Sequence, residues 1–274
     1  MVTSTVQGGG EAAYPTLSPK LKQSVLKRKP IQKQFGSMHA ILLNIQHPVG
    51  HRAKGLLDWL AASSPDLVVL PEWRDNSAGR SISQALRALK FHIESIGRQS
   101  GLRFFNGILV GAKETFRLRT LTPIGSQKGE LVLADFAAGW RLLAAYFPQG
   151  QAKAPFFKVC LQEAARSRNV PFLLFGDLDT GLNDMDVEGK GVRFVHANLF
   201  ADLQTKGGLV DLWRMEHGDR LEWSWRSRLH GFRTDHALAN QRFCDEFRTL
   251  RYAYDHSPRE AGLTDHSALI LTDR

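Results

Sequence analysis

Two aspartates one residue apart follow an apolar segment in PFLLFGDLD, where they are Asp177 and Asp179. If a strand continued through both, their side chains would point to the same side, because side chains alternate along a strand. Two ionised carboxylates that close repel each other, and a divalent cation or a bound proton removes that cost. All-oxygen ligands select Mg²⁺ or Mn²⁺, which can polarise a phosphoryl oxygen and activate a water.

The same stretch permits two other interpretations. In DLDTGLNDMDVE, Asp177, Asp179 and Glu188 stand at the first, third and twelfth places of a calcium loop. That loop requires glycine at its sixth place, where this chain has Leu182, and it should follow a helix. A plain aspartate–glycine turn is the other alternative. A metal site at the end of a buried strand accounts for more of the pattern than either.

Polar side chains also stand at the ends of other apolar segments. These segments deliver Asn44, Gln46, Glu72, Tyr146, Gln149, Asp235, Asp265 and His266. Strand ends that face one rim are where an α/β protein assembles a site from remote sequence. Taken singly, Asn44, Tyr146 and Gln149 suit ordinary core or rim positions, whereas Asp235 is a carboxylate inside an apolar strand and needs a partner. Together these residues predict one shared site.

Apolar patterns predict the elements that position these residues. The predicted strands lie in HAILLNI, DLVVLPE, NGILVGAK, ELVLADF, WRLLAAYFP, PFLLFGD, EWSWRSR, FRTDHALAN and SALILT. The predicted helices lie in AKGLLDWLAAS, SISQALRALKFHIESIG, APFFKVCLQEAARSR and VRFVHANLFADLQTKGG. Several consecutive strands lack a helix between them, which argues against a strict Rossmann or barrel repeat. We therefore expect an α/β fold with two packed sheets covered by helices.

The composition is that of a globular protein, with 274 residues, 43% of them hydrophobic and 23% charged. No apolar run is long enough to span a bilayer, and the start does not resemble a signal peptide, so we expect no membrane association. The two cysteines, Cys160 and Cys244, form no disulfide framework and indicate a reducing compartment. We expect a cytoplasmic monomer.

The basic charge is concentrated at the N-terminus. Residues 1–37 are rich in Gly, Ser, Pro, Lys and Gln, which predicts a disordered tail before a single domain at 38–274. Of the net charge of +9, six basic residues against one glutamate place +5 in the tail and leave +4 for the domain. Basic tails often dock on phosphate backbones. A solvated leader, or a true start at Met38, are the alternatives.

Taken together, six segments resemble the endonuclease/exonuclease/phosphatase superfamily, to which exonuclease III, abasic-site endonucleases and DNase I belong. In the order that the family has them, they are LLNIQ, PDLVVLPEWRD, AAYFPQG, LLFGDLDTG, GFRTDHALAN and LTDHSALIL. Each motif alone is weak, but the shared order over Met38 to Thr272 is specific. The resemblance implies a DNase I-like, four-layer α-β-β-α sandwich of two mixed sheets and a Mg²⁺- or Mn²⁺-dependent phosphodiester hydrolase.

The resemblance also implies roles for the acidic residues. Glu72 would be the main ligand of the cation, with Asn44 and Asp265 beside it. Asp177 would position or deprotonate the water that attacks the phosphate in line. Asp179 would take the place of an asparagine that holds the water or the phosphate.

The remaining roles concern the phosphate and its neighbours. His266 would contact the scissile phosphate and be oriented by Asp235, because a carboxylate partner fixes the imidazole tautomer and raises its pKa. Tyr146 would polarise the phosphate from the other side, and Gln149 would contact the substrate. Asp265 and His266 are adjacent, so both can reach one site only if this segment bends as it enters its strand.

Three positions depart from the family pattern. Asp179 replaces an asparagine and adds negative charge near a phosphate, so we expect Asp179→Asn to raise activity. Gln46 stands where the family has Asn or Asp, and its length predicts metal contact only through water. Thr264 in place of serine is a mild change. These departures affect the expected rate rather than the expected fold.

Aromatic residues interleave with arginines in EWSWRSRLHGF, which contains Trp225, Arg226 and Phe232. Such a pattern suits stacked bases and phosphates and predicts nucleic acid, with DNA favoured, as the partner of a nuclease. It also fits an ordinary strand with one buried face. RNA and small phosphate esters stay open as substrates, and so does a protein weakened at Asp179 and Gln46 that binds nucleic acid without cutting it.

Overall fold

The computed structural model describes residues 38–100, 103–126 and 128–273, and the predicted tail at 1–37 lies outside them. The strands are β1 (His39–Leu42), β2 (Leu67–Trp73), β3 (His92–Ser100), β4 (Arg103–Ala112), β5 (Phe116–Thr120), β6 (Glu130–Phe136), β7 (Arg141–Tyr146), β8 (Phe172–Asp177), β9 (Val210–Asp211), β10 (Trp225–Arg226), β11 (Gly231–Phe232), β12 (Asp235–Ala239), β13 (Arg251–Asp255) and β14 (Ala268–Thr272). The helices are α1 (His51–Ser63), α2 (Ser77–Ala88), α3 (Ala154–Arg166), α4 (Ala197–Thr205), α5 (Leu212–His217), α6 (Gln241–Glu246) and α7 (Ser257–Glu260), with a 3₁₀ helix at Gly150–Lys153.

The strands form two mixed six-stranded sheets and one small ribbon. The first sheet has the order β13-β14-β1-β2-β4-β3, the second has the order β5-β6-β7-β8-β12-β9, and β10 pairs with β11. Strand β1 runs parallel to β2 and β7 runs parallel to β8, whereas the other ladders are antiparallel. The prediction of an α/β fold with two mixed sheets is confirmed.

Buried side chains divide between the two faces of each sheet, which is why the strands read as continuous apolar runs. In β8, Leu173 and Phe175 pack into the core between the sheets, while Phe172 and Leu174 pack under α3 and α4. Helices α1 and α2 cover the outer face of the first sheet through Leu56, Leu60, Ile82 and Leu86. The molecule is therefore a four-layer α-β-β-α sandwich.

Three predicted elements are corrected. The helix predicted in SISQALRALKFHIESIG is wrong in its second half, because α2 ends at Ala88, Lys90 is left-handed with φ 66°, and β3 follows. Pairing with β4 overrides the helical periodicity there. The strand predicted in EWSWRSR is limited to β10, since a turn from Ser227 to His230 ends it. The helix predicted from residue 192 starts only at Ala197, after the left-handed His196 with φ 64°.

Across the described ranges, no helix is both long enough and apolar enough to cross a membrane.

Candidate active site

Strand register places three of the predicted residues side by side at one end of the second sheet. Tyr146 of β7 is paired with Asp177 of β8, and Asp177 is paired with Asp235 of β12. By alternation Asp177 faces the same way as Leu173 and Phe175, into the space between the sheets. Asp177 and Asp235 are buried and Tyr146 is half-buried, so this sheet contributes a row of polar groups to the end of the core.

A bulge in the first sheet brings Glu72 to the same place. In β2, Val69 faces the inner core, while Val68, Leu70 and Trp73 face outward, so the alternation shifts between Leu70 and Trp73. The register with β4 breaks there, and Glu72 adopts a left-handed backbone with φ 61°. A regular strand would have sent Glu72 outward with Leu70, and the bulge turns its carboxylate inward instead.

Asn44 joins the two sheets at the site. Its amide nitrogen donates to Glu72 Oε1 at 3.2 Å and to Asp177 Oδ2 at 2.9 Å. Tyr146 Oη donates to the same Glu72 oxygen at 3.4 Å and accepts from Asn106 Nδ2 at 3.3 Å. Burial and the charge of Glu72 raise the pKa of Tyr146, so the phenol stays protonated as a donor. Five residues thus form one hydrogen-bonded chain that connects the two sheets.

His266 and Asp235 form a buried pair beside Asp177. Nδ1 of His266 lies 2.8 Å from Asp235 Oδ2, and ligand atoms of these three residues all lie within 4.8 Å of one another. Burial alone would lower the pKa of His266, but the charge and hydrogen bond of Asp235 raise it to about 10. Burial and the nearby Asp235 raise the pKa of Asp177 to about 8. The pair thus offers a cationic donor next to a carboxylate that binds a proton readily.

Asp265 reaches the site because its segment bends, as the sequence requires. The chain makes a bend at Asp265 and enters β14 only at Ala268. Asp265 Oδ1 lies 3.8 Å from His266 Nε2, and Oδ2 accepts from Trp225 Nε1 at 3.0 Å. Thr264 supports the bend by donating to the backbone oxygen of Asn44 at 2.6 Å.

No strand continues through both Asp177 and Asp179, so the condition for their side chains to point to the same side is not met. Strand β8 ends at Asp177, and Asp179 is left-handed with φ 46°. The buried Lys153 donates to Asp179 Oδ2 at 2.5 Å and to its backbone oxygen. Burial raises the pKa of Asp179 and Lys153 opposes that rise. Lys153 therefore offsets the charge of Asp179 and reduces its repulsion of Asp177, a role that the sequence analysis gave to a cation or a proton.

The loop after Asp179 is not arranged as a calcium loop. It follows strand β8 rather than a helix. The twelfth residue, Glu188, accepts from the backbone of Gly231 and from Arg226, each at 2.7 Å. The tenth residue, Asp186, is held by Arg233 at 2.8 Å. The carboxylate at the twelfth place, which would coordinate calcium, is thus committed to protein partners.

The donor set fits a hard divalent cation. Glu72 and Asp265, two of the predicted ligands, present carboxylate oxygens, which Mg²⁺ and Mn²⁺ prefer. Asp265 Oδ1 is buried and has no hydrogen-bond partner among the residues that the structure describes, an arrangement that a cation would satisfy. The amide oxygen of Asn44 accepts from the backbone of Gln46 at 2.9 Å, so coordination by Asn44 stays a prediction.

The predicted substrate residues line two different pockets near this centre. Trp225 and Phe232 pack at 5.5 Å between ring centroids and, with Phe194, line a pocket of about 200 Å³ beside Lys153 and Asp179. Gln149 is exposed and lines a separate groove of about 1120 Å³ that also includes Tyr146, Asn106, Arg74 and Lys128. Arg226 lies at the surface and pairs with Glu188 at 2.7 Å, so part of its charge is already compensated.

Three site residues were not predicted from the sequence. Lys153 precedes a predicted helix, and a lysine at such a position normally indicates a solvent-exposed face, so the sequence did not show that it is buried. Asn106 lies within β4 and is the first residue of the predicted strand segment NGILVGAK. His47 approaches Glu72 at 3.1 Å, and only its place beside Gln46 in the first motif could have indicated it.

No family model matches the chain, and a search of curated proteins finds no match.

Proposed function

We propose that this protein is a metal-dependent phosphodiester hydrolase of the endonuclease/exonuclease/phosphatase superfamily, most plainly a nuclease that acts on DNA. The observation that carries the proposal is the convergence of Asn44, Glu72, Tyr146, Asp177, Asp235 and His266, from six separate segments, into one connected set of contacts. The four-layer sandwich supports the superfamily assignment, since it is the architecture that the resemblance implies.

Each side chain has a role that its surroundings support. Asp177 would accept the proton of the attacking water, because a bound cation favours its charged form and Asn44 holds its carboxylate in place. His266, held by Asp235, would donate to a phosphate oxygen as the charge on the phosphorus centre grows. Tyr146 would donate from the opposite side. A Mg²⁺ or Mn²⁺ held by Glu72, Asp265 and Asn44 would polarise the phosphoryl oxygen.

The surface beside the site supports a long anionic substrate. The groove of about 1120 Å³ starts at Tyr146 and carries Arg74 and Lys128, which suit backbone phosphates. In a second pocket, Trp225 and Phe232 offer ring faces on which a base or sugar could stack. The two features together favour a polynucleotide that crosses the site.

Nicking of supercoiled plasmid tests the proposal. Wild-type protein should convert the plasmid to nicked circles with Mg²⁺ or Mn²⁺ and should not do so with EDTA. Glu72→Gln and His266→Ala should each lower the rate by at least about 10²-fold, since they remove the main metal ligand and the phosphate donor. Arg248→Ala, which changes an exposed arginine on the segment after α6, is the matched control and should cut normally.

A second candidate is a phosphodiesterase or phosphatase for small esters. The aromatic pocket of about 200 Å³ favours it, because that volume is below the roughly 300 Å³ of an ordinary ligand pocket and holds only a small group. Turnover of a chromogenic phosphodiester without plasmid nicking would establish this candidate. Plasmid binding without turnover of either substrate, under Mg²⁺ and Mn²⁺ alike, would overturn the hydrolase proposal and leave a nucleic-acid-binding protein.

A further inference from the structure

Gln46 is turned away from the cation site. Its side-chain oxygen accepts from Arg52 Nη1 at 2.6 Å, and its backbone oxygen accepts from Arg52 Nη2 at 3.2 Å. Its backbone N–H donates to Asn44 Oδ1 at 2.9 Å. Both oxygens of Gln46 are therefore committed to one arginine, and contact with a cation through Gln46 would require breaking that pairing.

His47 takes the position beside the carboxylate instead. Its Nδ1 lies 3.1 Å from Glu72 Oε2, and the side chain is 37% exposed, so the imidazole is accessible from solvent. Gln46 and His47 are both left-handed, with φ of 47° and 36°. Two successive left-handed residues are uncommon when neither is glycine, and backbone strain of this kind concentrates at functional sites. The turn directs His47 toward Glu72.

The spacing of these two atoms suits a shared ion. Two ligands at right angles on an octahedral ion, each about 2.1 Å from it, lie about 3 Å apart. The 3.1 Å between Nδ1 of His47 and Oε2 of Glu72 matches that separation. Oε1 of Glu72 is engaged by Asn44 and Tyr146, so Oε2 is the oxygen that remains for coordination.

We propose that His47 is an additional ligand of the cation held by Glu72, and that it makes the site select Mn²⁺ over Mg²⁺. Mg²⁺ takes oxygen ligands almost exclusively, whereas imidazole nitrogen strengthens binding of first-row transition ions. The inference rests on the metal centre of the proposed function, and it assigns to His47 the place that the family pattern gives to the residue at Gln46.

Metal titration of His47→Ala tests this assignment without any substrate. Mn²⁺ binding is followed by the electron paramagnetic resonance signal of free Mn²⁺, and Mg²⁺ binding by competition. The matched control is His92→Ala, because His92 contacts Glu94 at 3.2 Å and is 38% exposed, but lies on β3 away from the site. We expect His47→Ala to lower the affinity for Mn²⁺ by more than about tenfold and to change the affinity for Mg²⁺ far less. The affinities of His92→Ala should equal those of wild type.

Pulsed electron paramagnetic resonance of bound Mn²⁺ gives a second readout. Wild type and His92→Ala should show coupling to an imidazole nitrogen, and His47→Ala should lose it. Retention of that coupling in His47→Ala would overturn the assignment. Tighter Mn²⁺ binding by this variant would also overturn the assignment, because His47 would then compete with the ion for Glu72. An equal loss of affinity for Mn²⁺ and Mg²⁺ would overturn it too, because His47 would then only position Glu72.

The remaining outcomes separate this inference from the proposed function. If wild type binds neither ion, the assignment of His47 and the metal-dependent hydrolase fail together. If Mn²⁺ binds through His47 but no phosphodiester is cleaved, the hydrolase fails and the assignment of His47 stands.

Discussion

Two charged networks meet along β12 and differ in their charge balance. The balanced network consists of Arg233, Arg214, Asp186, Asp211 and His236. The site network consists of Glu72, Asp177, Asp235, Asp265 and His266. Asp235 faces the space between the sheets, whereas the next residue, His236, packs against Phe200 under α4. Neighbouring residues of one strand therefore enter two networks with different purposes.

The balanced network pairs each of its charges. Arg233 donates to Asp186 at 2.8 Å and to Asp211 at 2.5 Å, and Arg214 also donates to Asp186. Burial alone would raise the pKa of Asp186, but Arg233 and its neighbours lower it to about 2. Burial and Arg233 lower the pKa of His236 to about 4, so this histidine is neutral at pH 7. Such an arrangement stabilises one conformation.

The site network carries an excess of negative charge. Within the described part of the chain, each network has two buried side-chain atoms without a hydrogen-bond partner, so the networks differ in charge and not in these atoms: Asp235 Oδ1 and Asp265 Oδ1 here, and Arg214 Nε and His236 Nδ1 in the balanced network. The pKa of Asp177 is raised, opposite to that of Asp186, although both are buried aspartates. Under the proposed function, the balanced network serves the fold, while the site network gives up stability in order to hold a cation and a phosphate.

The largest expected effect is loss of the balanced network's central cation. Arg233→Met should lower the free energy of unfolding by about 3–5 kcal/mol, because Asp186 and Asp211 remain buried without their partner. The control Arg226→Met removes an arginine from an exposed pair with Glu188 and should cost at most about 1 kcal/mol. Urea denaturation measures both. Equal losses in the two variants would contradict the distinction between buried and surface pairs.

Matched aspartate-to-asparagine changes should have opposite signs in the two networks. The folded-state pKa of Asp186 is lowered, so its contribution is present above pH 4 and is lost as the pH falls toward 2. Asp186→Asn should therefore cost about 2 kcal/mol at pH 7. The folded-state pKa of Asp177 is raised to about 8, so wild type loses stability as the pH rises from about 4 through 8, and Asp177→Asn should gain relative to it.

Urea denaturation across pH 3 to 9 checks this pair of variants. The difference in free energy of unfolding between wild type and Asp186→Asn should shrink toward pH 3. The free energy of unfolding that Asp177→Asn gains over wild type should increase toward pH 9. Effects of the same sign in both variants at pH 9 would show that the networks do not differ in charge balance.

A smaller effect is expected where Lys153 gives the site network local balance. Asp179→Asn should raise turnover a few-fold, because the charge of Lys153 then faces the phosphate without compensation. It should also cost about 1–3 kcal/mol, since a buried ammonium loses its partner. The double change with Lys153→Met should lose the added turnover and recover stability. Initial rates and urea melts measure this, and an unchanged or lower rate in the single variant would refute it.

Sequence patterns predicted the fold and most of the polar row. Continuous apolar runs with polar ends identified β7, β8 and β12, and register then brings Tyr146, Asp177 and Asp235 together. The bend that Asp265 and His266 require is also present. These features depend on alternation along strands, which is local and visible in a single sequence.

Other features depend on backbone geometry and remote contacts that local patterns do not record. The bulge that turns Glu72 inward requires a register shift against β4, and the turn of Asp179 requires Lys153 from a different segment. His47 has a left-handed backbone but is not a glycine, so its residue type did not indicate that conformation. The helix predicted across the first residues of β3 was wrong for the same reason, because the pairing of β3 with β4 is not visible in a local sequence pattern.

Plasmid nicking by Asp177→Asn and Asp186→Asn, normalised to the folded fraction from circular dichroism, tests the account most directly. With Mn²⁺ or Mg²⁺, Asp177→Asn should be folded and slower than wild type by at least about 10²-fold, because it lacks the base that activates water. Asp186→Asn should cut at the wild-type rate per folded molecule. Wild-type cleavage by Asp177→Asn, in either metal, would contradict the assignment of the site.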